Sequence, residues 1–75
     1  MLEINNAIKI IERSVDTRIM ETEYLYEENG WYVFSTHPKA KDSYGFTITA
    51  INRNTGKRKV GGPEVMLEVA SEKTG

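Results

Sequence analysis

The chain has no cysteine, one histidine, one tryptophan and two prolines among its 75 residues. Without thiols there is no disulfide framework and no thiolate metal site, and a lone imidazole falls short of the ligands zinc needs. Asp42 is not followed by the alternating carboxylates of a calcium loop. Gly61-Gly62 precedes a helix, but no Gly-Lys-Ser/Thr follows, so a phosphate loop is excluded as well. The formal net charge of −1 gives no general attraction for nucleic acid or an anionic membrane. No apolar run is long enough to span a bilayer. Met1-Leu2-Glu3 lacks the basic start and apolar stretch of a secretory signal. These absences predict a cytoplasmic protein with no cofactor, no metal and no membrane partner.

A chain of this length makes a single small domain, 1–75, with one thin core. Such a core supplies roughly 3–5 kcal/mol, so a partner or a second copy would add appreciably to it.

Among the features present, Asn29-Gly30 is the most informative. It lies between Tyr24-Leu25-Tyr26 and Trp31-Tyr32-Val33-Phe34, and Asn-Gly supplies the positive φ angles of a two-residue type I′ hairpin turn. An uninterrupted register from that turn sets Glu28 opposite Trp31, Tyr26 opposite Val33 and Tyr24 opposite Ser35. Tyr24, Tyr26, Trp31 and Val33 then share one face, and Glu21, Glu23 and Glu27 share another.

Upstream, Ile4, Ala7, Ile8, Ile11 and Val15 recur at helical spacing. This predicts an amphipathic helix capped by Asn5 or Asn6 and ending near Asp16-Thr17. Ile19 to Glu27 reads as the first strand and Trp31 to Thr36 as the second, with His37-Pro38 breaking it. Lys39 to Ser43 is a charged loop. Gly45 to Asn52 is a third strand, with Phe46, Ile48 and Ala50 on one face and Thr47, Thr49 and Ile51 on the other. Asn52 to Gly56 is a turn with Gly56 in the left-handed position, and Lys57 to Val60 is a short fourth strand. Pro63 opens a closing helix with Val65, Met66, Val69 and Ala70 inward. The class is α+β: an N-terminal helix, a three- to four-stranded antiparallel meander and a short C-terminal helix. Both helices are expected on one face of the sheet.

No constellation nominates a catalytic site. His37, near Asp42 and Ser43 in a loop, lacks an orienting partner in any recognisable motif, so it reads as an exposed loop histidine in a non-enzymatic protein. Two charged features remain. Glu21, Glu23, Glu27 and Glu28 crowd the first hairpin and would steer a basic protein partner, with an exposed aromatic such as Trp31 as anchor. Arg53, Lys57, Arg58 and Lys59 decorate the second hairpin, where stacking and phosphate contacts would suit a single-stranded nucleic acid. Net charge and strand alternation oppose that alternative, because Arg58 and Lys59 point to opposite faces. A third reading is a structural homodimer, joined at an open sheet edge, with no other ligand.

The N-terminal helix, Gly30-Trp31-Tyr32-Val33-Phe34, the Asn52-Arg53-Asn54-Thr55-Gly56 hairpin and Pro63-Glu64 opening a helix together resemble the YrhB-type bacterial immunity-protein family. The resemblance spans most of the chain, which is shorter than that pattern and lacks a longer insertion between His37 and Ser43. The Asn54-Thr55-Gly56 hairpin is also similar to PepSY-like modules, which are associated with inhibition. Neither family supplies a catalytic residue. What the resemblance implies is protein binding: an immunity or inhibitor protein acting by contact, with a basic toxin as its partner.

Overall fold

The computed structural model describes residues 1–40 and 45–72; Lys41, Asp42 and Ser43, the charged part of the expected loop, lie outside them. Helix α1 spans Ile4–Glu12, followed by β1 (Met20–Glu28), β2 (Trp31–Pro38), β3 (Thr47–Asn52), β4 (Arg58–Gly61) and helix α2 (Glu64–Ser71). The strands form one antiparallel sheet in the order β1-β2-β3-β4, so the fold is α+β. Among the described residues no helix is long and apolar enough to cross a membrane.

The centre of the fold is β2, where Trp31, Tyr32, Val33 and Phe34 are all buried. Successive side chains of a strand point to opposite faces, so four consecutive buried residues require cover on both. Each helix supplies one side. Val65 and Val69 of α2 pack on Trp31, Val33, Ile48 and Ala50. Ala7 and Ile11 of α1 pack on Tyr32, Phe34 and Ile51. The helices therefore lie on opposite faces, not on one as expected from the sequence. Alternation within β3 is as read for Ile48 and Ala50, which face α2, and for Ile51, which faces α1. The strand begins at Thr47 rather than Gly45, so Phe46, expected beside Ile48 and Ala50, falls outside it and is 52% exposed.

The Asn29-Gly30 turn has the expected geometry, with φ of 53° and 80°. Glu28 lies opposite Trp31 and Tyr26 opposite Val33, but Tyr24 pairs with Phe34 rather than Ser35. Leu25 is the extra residue of a β-bulge, which an edge strand accommodates without disturbing a second neighbour. The bulge turns Tyr24 onto the α1 face. There its ring meets Tyr32 and Phe34 edge-on, with centroids 6.4 and 5.7 Å apart. Such pairs contribute about 0.5–1.5 kcal/mol each beyond area burial. Tyr24 and Tyr26 thus occupy opposite faces, contrary to the uninterrupted register.

Smaller differences have local causes. Helix α1 begins at Ile4, with Glu3 in the cap position, so Asn5 and Asn6 lie inside it. It stops at Glu12, short of Asp16, where the Ser14 hydroxyl bonds the Ile11 carbonyl at 2.9 Å. Asp16 instead accepts the Arg18 amide at 3.0 Å and both ends of its guanidinium, which turns the chain into β1. The Arg18 side chain and amide hold the Asp16 carboxyl below its usual range. Strand β2 continues through His37 and Pro38, which pair with Glu21 and Met20. Pro38 is tolerated because β3 pairing ends at Thr36, leaving one neighbour only. In α2, Val65 and Val69 are buried and Met66 half-buried, while Ala70 is exposed.

Two polar contacts hold α2 in place. The Asn29 side-chain amide donates to the Val69 carbonyl at 2.8 Å, tying the first turn to the last turn of the helix. At the other end the Glu64 carboxylate accepts the Gly62 amide at 2.8 Å, and the backbone bonds of Gly62 and Glu64 lower its pKa from 4.5. Asn29 therefore does two things at once, which substitution separates. Asn29→Gly keeps the turn and loses the tie, and is expected to cost about 1 kcal/mol in denaturant unfolding. Asn29→Ala also forces into the left-handed region a residue without the tolerance that asparagine and glycine have for it, adding about 1–2 kcal/mol. Equal losses in the two variants would contradict this division. For Glu64, a folded pKa below the unfolded value means stability that is present above pH 4.5 and disappears as pH falls through the folded value. Melting temperatures measured down that range should fall more steeply for the native chain than for Glu64→Gln.

Candidate functional site

Neither helix is large enough to cover a whole face. Helix α1 packs beside β1 and over the middle of the sheet, whereas α2 packs over β3 and β4. Two strips stay open, diagonally opposed: β1 with the Ser35–His37 end of β2 on the α2 side, and β4 with the groove beside it on the α1 side.

The first is acidic. Glu21 and Glu23 stand opposite His37 and Ser35 in the register, and all four project to the α2 side with Tyr26 and Glu28. The glutamates are exposed, and Ser35, His37 and Tyr26 are half-buried. His37 is thus a strand residue rather than a loop residue. Its Nε2 lies 3.8 Å from a Glu21 carboxylate oxygen, an ion pair only when the imidazole is protonated.

Glu27 does not belong to this group. The Leu25 bulge reverses the alternation, so Glu27 faces the α1 side opposite Tyr32 and forms an ion pair with Arg53. The expected shared face of Glu21, Glu23 and Glu27 is therefore split, while Glu21, Glu23 and Glu28 stay together. Trp31, expected as an exposed anchor, is 5% exposed and sits in the core beneath α2. It is one of the few large apolar residues available to so small a core, and burial outweighs exposure for it.

The four basic residues of the second hairpin disperse. Arg53 is taken up by Glu27, and its backbone receives the Leu2 amide at 2.8 Å and donates to Gly30 at 3.0 Å. It clasps the N-terminal segment to the first turn. The Lys59 ammonium lies 5.3 Å from the centre of the Trp31 ring, a cation–π contact on the α2 side. Arg58 faces the α1 side, and Lys57 is exposed at the end of the turn. The four do not form a common stacking and phosphate-binding surface.

The second open strip borders a groove of about 620 Å³. Thr36, Thr47 and Thr49 form its floor. Ile11 and Val15 wall one side, and Arg58 and Val60 of β4 wall the other. A hydrogen bond of 3.1 Å joins the Thr36 and Thr22 hydroxyls across β1 and β2. Sequence reasoning noted Thr47 and Thr49 as one face of β3 but attached no surface to them. The signal was there: threonines alternate with apolar residues along β3, and Thr49, with Thr36 of β2, ends up buried (5% and 2% exposed) at the base of the groove. Among the described residues, no group of three or more His, Asp and Glu gathers into a metal site. No protein-family model, curated protein or solved structure matches this chain.

The bulge assigns different work to chemically identical glutamates. Glu27→Ala should destabilise the fold by up to about 1 kcal/mol, the scale of a partly exposed pair. Glu23→Ala should leave it unchanged or slightly more stable, since it relieves repulsion from Glu21. Urea midpoints for the two variants test this, and a larger loss for Glu23→Ala would place the structural ion pair elsewhere.

Proposed function

We propose that this chain is a non-catalytic, cytoplasmic protein-binding module of the immunity or inhibitor type. It meets a basic surface of its partner through the open acidic strip. The observation that carries this reading is the co-facial placement of the exposed Glu21, Glu23 and Glu28 along the edge strand β1. Their carboxylates are exposed, so they act through solvent, raising the rate of encounter more than the final affinity. Tyr26, half-buried between them and the core, offers the aromatic edge around which such an interface would close. Trp31 has no part in this, being buried, and Glu27 is held by Arg53.

The test is a charge-reversal comparison. Glu21→Lys with Glu23→Lys should abolish capture of the protein retained by the native chain from its own cell lysate. Glu68→Lys, an exposed reversal on α2, should preserve it. Once the partner is purified, its association rate should fall steeply with added salt while its dissociation rate changes little. Capture that survives the double reversal would sink the placement.

A further inference from the structure

The basic edge of the sheet has a geometry of its own, independent of the acidic strip. Strand β4 is an edge strand paired only with β3. The Asn52 amide donates to the Lys57 carbonyl at 2.8 Å at the start of this hairpin. Hydrogen-bonded and non-hydrogen-bonded pairs alternate along an antiparallel ladder. From Asn52–Lys57, the pairs Ile51–Arg58 and Thr49–Val60 are therefore the non-hydrogen-bonded ones. The N–H and C=O groups of Arg58 and Val60 accordingly point away from β3, toward the open edge. The side chains of the same two residues wall the threonine-floored groove. Val60 is 65% exposed, and Arg58 has no ion-pair partner among the described residues.

We propose that β4 and this groove form a docking site for an extended acidic segment of a partner protein, added as a fifth strand. Main-chain bonds to Arg58 and Val60 would hold the segment. Partner residues opposite these two project to the α1 side, where an apolar side chain packs on Val60 and a carboxylate meets Arg58. The choice of an acidic occupant follows from charge. Lys57, Arg58 and Lys59 are consecutive, with no acidic residue in β4 to offset them. That run repels β4 of a second copy, as edge lysines commonly do. The acidic strand β1 of a second copy is a poor substitute, because Leu25 bulges it and Glu27 is held by Arg53.

The experiment is an amide-resolved NMR titration of the full chain with a short synthetic peptide alternating valine and glutamate. A valine–lysine peptide is the control. Expected shifts centre on Arg58, Val60, Thr47 and Thr49, appear with the glutamate peptide only, and diminish with salt. Arg58→Glu should weaken binding about tenfold, the scale of one lost charge-assisted contact. Val60→Pro removes an outward N–H that β3 does not use, and should abolish the shifts while leaving the rest of the spectrum folded. If that variant fails to fold, the native shift map and Arg58→Glu decide alone. No shifts at millimolar peptide, equal binding of the lysine peptide, or undiminished binding by folded Val60→Pro would overturn the proposal. So would a mass that rises with protein concentration and is reversed by Arg58→Glu, since a second copy would then own the edge.

Discussion

The whole arrangement depends on β2 being buried on both sides. Trp31, Tyr32, Val33 and Phe34 present two large residues to each face, and neither pair can be left to water. A strand of this kind must lie inside a sheet and between two layers. The chain meets both conditions cheaply, with hairpin neighbours on either side and one helix from each end of the sequence. Because β2 is central, Asn29 can serve both the turn that begins it and the helix that covers it. One side chain links local turn geometry to the packing of a residue forty positions along the chain.

The second organising event is the extra residue at Leu25. Without it Tyr24 would join Tyr26 on the α2 side, and the α1 face would lose two aromatic contacts. With it, the glutamates that follow change sides relative to those that precede. Glu27 becomes part of a structural clasp with Arg53, while Glu21 and Glu23 stay on an open surface. A packing requirement of aromatic rings thus decides which carboxylates are available to another molecule.

This explains what could and could not be read from the residues. Elements whose signals are local were legible: the Asn29-Gly30 turn, the stripe of α1, the alternation of β3, and Pro63 before α2. The boundaries moved where side chains compete for backbone groups, as Ser14 and Asp16 do at the end of α1. The bulge was not legible, because an insertion leaves period-two alternation intact on each side of it and only the partner strand exposes the slip. Opposed helices follow from β2 once its four bulky residues are counted as wholly buried, whereas a half-exposed face allows both helices on one side. The acidic surface was legible as composition, but its membership was not. Trp31 shows the same limit, since its type suits an interface anchor and a core residue equally, and the demand of a small core decided it.

Half-coverage has a thermodynamic consequence. Two short helices cannot enclose four strands, so two strips stay exposed: the glutamates of β1 on one side, and Arg58 and Val60 of β4 beside the groove on the other. The isolated chain then rests on a core worth only roughly 3–5 kcal/mol. A protein bound at one hundred times its dissociation constant adds about 2.7 kcal/mol to the folded state, a comparable amount. A protein bound at either surface would add its binding free energy to the stability of the fold as a whole.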